Sequence, residues 1–258
     1  VASQYTDIAP EQVMAGIKAL GFYDVVEAAW GADMVAWLEA EELAEKRFLT
    51  SSCCPAFVNY IKKGFPELAE NISHNLSPMA QIARWLQEKD EGCHVVFIGP
   101  CIAKKGEVKY TKKYVDYAIT FEEMQAMFSA KGIDVASMDK AQLGNASCFG
   151  RIFARCGGLA EAVKEALKEQ GVTEEQFGLS AVSCNGISEC KAALLKKQKG
   201  LLKENFIEGM ACEGGCIGGP ACLSHNARNT AQVNAYGRSS AESSISDAIK
   251  AFRDEEKK

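Results

Sequence analysis

The sequence predicts an α/β protein of two lobes, each built on a mainly parallel sheet flanked by helices. Three observations lead there. Short apolar runs of strand length alternate with longer segments of helical periodicity, the order that buries parallel strands between helix layers. Proline stands at the start of three helical segments, where its fixed φ and missing N–H cost little. The clearest apolar runs lead into loops rich in Gly, Pro and Cys, and loops at strand carboxyl ends form the ligand crevice of an open α/β sheet.

Pro10 to Leu20 reads as a helix with Pro in its first turn and Gly21 as its stop, and a second helix runs from about Asp33 to Lys46. Pro55 to Lys63 and Pro78 to Leu86 show apolar spacings of three and four behind a leading proline. His94 to Ile98 is a buried strand ended by Gly99-Pro100, which delivers Cys101 to its carboxyl end. Val115 to Ile119 is a strand and Phe121 to Ala130 a helix. A boundary near Lys131 to Ser147 divides the chain into lobes 1–135 and 136–258. Beyond it, Gly157-Gly158 opens a helix through Leu167, Leu179 to Cys184 is a strand and Ile187 to Leu195 a helix. Phe206 to Gly209 is a short strand feeding the loop of Cys212. Ser239 to Ser246 caps or begins a last helix, whose charged end from Asp254 to Lys258 is expected in solvent.

Composition excludes several classes. The 258 residues are 47% hydrophobic and 24% charged, ordinary globular usage with enough apolar mass for one large core or two modest ones. Net charge is -5 and no Lys/Arg run follows a phosphate backbone, so nucleic acid is not an expected partner. No stretch reaches the ~18 apolar residues of a membrane span, and the amino terminus lacks the basic and apolar regions of a secretion signal. A cytoplasmic location without membrane insertion is therefore expected. Eleven cysteines, an odd number, fit reduced thiols better than a disulfide framework; Cys93, Cys148, Cys156, Cys184, Cys190 and Cys222 read mostly as core residues.

The remaining five carry the chemistry. Thr50-Ser51-Ser52-Cys53-Cys54-Pro55, Gly99-Pro100-Cys101-Ile102-Ala103-Lys104-Lys105 and Met210-Ala211-Cys212-Glu213-Gly214-Gly215-Cys216 are distant segments with cysteine beside Gly or Pro. Thiolates gathered from separate loops suit an iron-sulfur cluster, whereas zinc sites pair local CxxC knuckles. Cys54 precedes Pro55 at a helix start, where a thiolate is favoured, and Gly214-Gly215 allows close backbone approach to a bulky group. Taken singly, each segment is equally a buried thiol, a strand end or a glycine turn; their combination with Lys104 and Met210 points to a cluster site.

The order CCP, PCxxKK, MxCxxxC resembles the catalytic domain of the iron-iron hydrogenases, over nearly the whole chain. The resemblance implies a 4Fe-4S cubane on Cys54, Cys101, Cys212 and Cys216. Cys216 would also bridge to a di-iron unit carrying CO, cyanide and a dithiolate bridge, the whole forming an H-cluster between the lobes. Lys104 would hydrogen-bond a cyanide, with Met210 and Pro100 beside the cofactor. The implied reaction is reversible reduction of protons to hydrogen. Electrons would be exchanged with ferredoxin or an accessory iron-sulfur domain or subunit, and maturation proteins would install the cofactor. Cys53, surplus to the four ligands, would shuttle protons, and Ser73, Glu39 and Glu42 match the outward proton path; three apart on a helix, the two glutamates share a face. His74, His94 and His225 match no family role and are expected as structural imidazoles.

Some positions depart from the family pattern. Gly218-Gly219-Pro220-Ala221-Cys222 stands where GGGQP is usual, Gly99 where methionine is common and Met79 where glutamine is common, all positions expected to line the di-iron pocket. Such changes alter redox potential and bias more than ligation. They keep open a hydrogen-sensing role with slow turnover, and an iron-sulfur assembly factor lacking the di-iron unit is the other rival. The chain also begins just past the family's Ala-Pro loop, as a fragment would, and the link from Lys46-Arg47 into Phe48-Leu49-Thr50 is shorter than usual. A tight turn or missing residues are expected there.

Overall fold

The computed structural model describes residues 1–5, 7–141, 144 and 146–256, with residues 255 and 256 described in backbone only. The end of the tail expected in solvent thus lies outside the described residues. Helices α1 (Pro10–Ala19) and α2 (Ala28–Lys46) open the chain. α2 starts five residues before Asp33, because its first turns are buried and apolar rather than amphipathic. Its Gly31 sits against α4 (Pro78–Lys89), where a Cβ would come within 2.2 Å of the Pro78 carbonyl. The short link after α2 is made by one residue: Arg47 takes a left-handed conformation, φ 66°, and its N–H returns to the Leu43 carbonyl.

That turn feeds β1 (Leu49–Thr50), a strand too short for any periodicity to announce. β1 lies parallel to β5 (Phe206–Met210), pairing Leu49 with Phe206, and β5 lies parallel to β4 (Ala181–Asn185). A second sheet pairs β2 (Val96–Gly99) with β3 (Tyr117–Thr120), also parallel. Strand pairing therefore cuts across the expected division between residues 135 and 136, since β1 belongs to the sheet of β4 and β5. Register between distant parallel strands is a tertiary property that local pattern does not carry.

The site loops follow from this topology. Cys53-Cys54 and the Cys212 loop leave the carboxyl ends of adjacent parallel strands, while Cys101 leaves β2 of the other sheet. α3 (Pro55–Gly64) packs directly on β5, where Gly209 makes room for the Phe57 ring; a Cβ there would lie 2.1 Å from it. α5 (Ile102–Thr111), absent from the sequence reading, is rich in Lys and carries Gly106, so its apolar face is thin. α6 (Phe121–Lys131) is capped reciprocally by Thr120 and Glu123.

The short α7 (Cys148–Ile152) and α10 (Asn229–Arg238) were likewise not expected, whereas α8 (Gly158–Glu169) and α9 (Ile187–Gln198) lie close to expectation. The last helix is two short pieces, α11 (Ile245–Ala248) and α12 (Lys250–Glu256). The largest core surrounds α2, with Met34, Val35 and Leu43 against Leu159, Val163 and Phe206. Among the described residues no helix is long and apolar enough to cross a membrane.

Candidate metal centre

Cys54 and Cys101 each occupy the position before a helix, α3 and α5, where aligned peptide dipoles favour negative charge. Cys212 and Cys216 sit in the loop after β5, which is pinned from two sides. Its Cys216 N–H donates to the Ala154 carbonyl at 2.8 Å, and the Ala221 N–H donates to the Pro100 carbonyl at 3.2 Å. Gly215 (φ 84°) and Gly219 permit the approach: a Cβ on Gly219 would lie 2.5 Å from the Pro100 oxygen. The third cysteine loop thus rests on the second.

All eleven cysteines are free thiols. Burial, then Cys54 and Cys101, push the Cys216 thiol up, with Lys104 opposing. Burial and the same two neighbours push Cys212 up to about 11. The four thiols therefore stand within one another's field, and four ionised sulfurs there would repel strongly without a cation to neutralise them. No group of three or more His, Cys, Asp or Glu among the described residues converges to hold a single metal ion. A cubane asks for a different arrangement, one thiolate at each of four irons, so its ligands stand apart around it. Donor type and mutual proximity fit that group.

Lys104 is buried at 7% exposure, its Nζ 2.6 Å from Glu107 Oε2 and 3.3 Å from the Cys53 carbonyl. Ser77 Oγ donates to the other Glu107 oxygen at 2.5 Å. Glu107 was missed in the sequence, though its place three residues after Lys104 on one helix was the available signal. Met210 is buried at the end of β5, and Pro100 is half-buried beside the third loop.

Behind Cys53 runs a column of acids. Cys53 is buried, and burial followed by the Glu39 carboxyl raises its pKa. Glu39 is completely buried, and neither of its oxygens has a hydrogen-bond partner among the described residues. Burial first, then the Glu42 charge, push it up to about 8, against the pull of the nearby Ser73 hydroxyl and Ser52 N–H, neither of which reaches hydrogen-bond geometry. The nearby Ser73 hydroxyl donates instead to Glu42 Oε2 at 2.9 Å. Burial works against the Glu42 charge, but Lys46 at 2.8 Å, Ser73 and the His74 N–H outweigh it and hold the carboxyl below its usual range. Ser73 and Glu42 are thus hydrogen-bonded, and Cys53, Glu39 and Glu42 stand within one another's electrostatic reach.

The departing positions are accommodated in different ways. Met79 is buried in the small core beside Ala83 and Val115. At Gly99 a Cβ would meet the Phe97 ring at 2.6 Å, so Phe97 fills that space. Cys222 is buried and donates to the Ile217 carbonyl at 3.3 Å, tying down the third loop. His225 holds the Gly219 carbonyl; His94, which pairs with Asp116, and His74, which touches Glu42, are both exposed.

The family described as "Iron only hydrogenase large subunit, C-terminal domain" matches residues 1–220. The chain belongs to this family. Iron hydrogenase 1 of Clostridium pasteurianum is 27% identical over 256 residues, covering 81% of this chain and 44% of that protein. The Periplasmic [Fe] hydrogenase large subunit of Nitratidesulfovibrio vulgaris is 27% identical over 257 residues, covering 81% and 61%. This hydrogenase-family domain thus spans about half the length of those curated relatives. The Cytosolic Fe-S cluster assembly factor NAR1 of Kluyveromyces lactis is 36% identical over 91 residues, covering 34% of this chain and 19% of that protein. An apo variant of the [FeFe]-hydrogenase HydA1 from Chlamydomonas reinhardtii superposes with a TM-score of 0.79 at 21% identity, over 98% of this chain and 86% of that one, a likeness of fold. Family membership implies an iron-sulfur and di-iron cofactor, and the two-sheet α/β architecture is that of the family's cofactor-binding domains.

Proposed function

We propose that this domain reversibly reduces protons to hydrogen, with a 4Fe-4S cubane held by Cys54, Cys101, Cys212 and Cys216 and a di-iron unit attached through Cys216. When bound, that cofactor supplies the electrons and the open iron position at which hydrogen is made or split. The protein supplies the rest. The Lys104 ammonium, buried and aimed by Glu107, offers a charge-assisted hydrogen bond to an anionic ligand such as cyanide. Met210 and Pro100 shape the apolar wall and keep water out.

The observation that carries this reading is the unpaired, buried Glu39. A carboxyl pushed up to about 8 keeps its proton at neutral pH, and it stands between the Cys53 thiol and the Ser73–Glu42 hydrogen bond. Cys53 presents a proton at Sγ toward the cofactor side, Glu39 replaces it, and Ser73 with Glu42 reload Glu39 from solvent. Proton-consuming chemistry needs such a column. Cluster storage or transfer does not, which weighs against the assembly-factor reading that the NAR1 match raises. A hydrogen sensor would use the same column more slowly, and its separation from a producer lies in turnover rate. Ferredoxin or an accessory iron-sulfur domain is the proposed electron source, with maturation proteins installing the di-iron unit.

The test is anaerobic reconstitution of the cubane followed by incubation with a synthetic di-iron complex. Infrared bands of bound CO and cyanide, with hydrogen evolution from a chemical reductant, are the expected result. A confirmed cubane that never acquires those bands would overturn the proposal in favour of assembly.

A further inference from the structure

The outer end of the acid column is occupied by a histidine that the resemblance did not assign. His74 is 75% exposed at its side chain, against 13% for Glu42. Its Nδ1 lies 2.9 Å from Glu42 Oε1 and 2.6 Å from Lys46 Nζ. Main-chain contacts hold the ring in place: the His74 N–H donates to Glu42 Oε2 at 3.0 Å, while Ser73 Oγ and Asn75 Nδ2 bind the same oxygen at 2.9 and 3.0 Å. Glu42 Oε2 thus takes neutral donors, and Oε1 faces Lys46 and the imidazole while sharing the His74 N–H at 3.2 Å. Among the described residues these two, both on α2, are the charged groups facing the ring.

We propose that His74 is the proton collector at the mouth of the column, handing protons from water to Glu42. This rests on the relay reading above and extends it by one residue. Imidazole is the side chain that ordinarily exchanges protons at neutral pH through two separate nitrogens. The 2.6 Å contact with the Lys46 ammonium marks Nδ1 as an acceptor, so the resting ring carries its proton on Nε2. Exchange with water gives the Nδ1–H tautomer, as Lys46 turns to Glu42, and a proton from bulk water then binds Nε2. The Nδ1–H bond then breaks, and that proton joins Glu42 Oε1, converting carboxylate to carboxyl. The ring is left neutral and protonated at Nε2, its bare Nδ1 now accepting a hydrogen bond from Lys46 Nζ. Lys46 has donors and no acceptor, so it steadies either the ring or the carboxylate without taking the proton. Exchange with water restores the Nδ1–H tautomer. Run backwards, the same steps release protons when hydrogen is oxidised.

The test compares the cofactor-loaded wild type with His74→Gln, Glu42→Gln, Glu39→Gln and, as a control, His94→Gln, whose imidazole is 86% exposed beside Asp116 and outside the column. In dilute buffer His74→Gln should slow turnover at least about threefold, flatten the near-neutral limb of the pH profile and be rescued by added imidazole, as expected for loss of a proton-transfer group with water in partial substitution. In the cofactor-free protein, nitrogen NMR of the ring should follow its two tautomers. Glu42→Gln should shift the balance between them, because it replaces the carboxylate 2.9 Å from Nδ1 that accepts from the Nδ1–H form. Slowed turnover in Glu42→Gln and Glu39→Gln with His74→Gln unchanged and unrescued overturns the His74 assignment alone. A tautomer balance indifferent to Glu42→Gln also overturns it. Unchanged turnover in all three overturns the relay beneath it.

Discussion

Two carboxyls on α2, six residues apart, are both removed from water and differ in one respect. Asp33 accepts from the Ser147 N–H at 2.8 Å and from the Ser147 hydroxyl at 2.5 Å, bonds that fasten α2 to the start of α7. Glu39 accepts from nothing described. Burial pushes both up, Asp33 to about 7 against the pull of Ser147 and Glu39 to about 8. An unpaired buried polar group costs about 1–3 kcal/mol, so a fold that keeps one pays for something other than stability. Asp33 is an internal tie, and in the proposed relay Glu39 is the proton carrier.

The largest effect that separates them is on turnover. Glu39→Gln preserves shape and removes the exchangeable carboxyl proton, so hydrogen evolution should fall by about 10²- to 10⁴-fold at unchanged iron content and infrared spectrum. Cys53→Ala should fall similarly, since it removes the inner end of the same column. Asp33→Asn should leave turnover per loaded molecule within a few-fold of wild type. Equal losses at positions 33 and 39 would break the contrast.

The second effect is on stability. Asp33→Ala leaves the buried Ser147 N–H and hydroxyl without their acceptor, and denaturant unfolding should register a loss of about 1–3 kcal/mol. Glu39→Ala opens a cavity yet orphans no donor, so its loss should be the smaller of the two. A third effect concerns Lys104. Glu107→Gln weakens the buried ion pair at 2.6 Å, and because truncating such a partner strands a charge, the di-iron unit should load with shifted cyanide bands while the cubane spectrum stays put. Unshifted bands would show that Glu107 does not aim Lys104.

What could be read from the chain divides along the same line. Cysteine identity, the prolines after Cys53-Cys54 and in Gly99-Pro100, and the apolar run Val95 to Ile98 are local signals, and they located the loops. The pairing of two-residue β1 with β5 is not local, and it puts the strand that leads to Cys53 and Cys54 in the sheet of β4 and β5. α5 escaped notice because Ile102 to Thr111 is mostly polar and interrupted by Gly106; with it went Glu107, whose burial depends on Ser77 arriving from another segment. Glu39 looked like any glutamate of an acidic helix. Only the packing of α2 on several sides distinguishes it from exposed Glu41, and His74 gains meaning only from Glu42 across the turn.

The smallest effect follows from proton linkage. Glu39 holds its proton to about 8 in the folded state, whereas an unfolded glutamate releases it near its ordinary 4.5. Between those values the folded state carries a proton that the unfolded state lacks. Stability from this group is therefore fully present below the lower value and declines as pH rises through the window, at no more than about 1.4 kcal/mol per pH unit. Asp33 behaves the same way between 3.8 and about 7, so its decline is largely finished by neutral pH. Between pH 7 and 8 the remaining downward slope should belong mainly to Glu39, offset in part by the buried Val1 amine, whose lowering from 8.0 to about 6 adds an upward one. Glu39→Gln should flatten the fall in unfolding free energy across that interval, and Asp33→Asn should flatten it mainly at lower pH. If Glu39→Gln left the slope from pH 7 to 8 intact, the carboxyl would already be ionised in the folded protein. A charged Glu39 would have no proton to give Cys53, and the inner half of the column would have to run through another group.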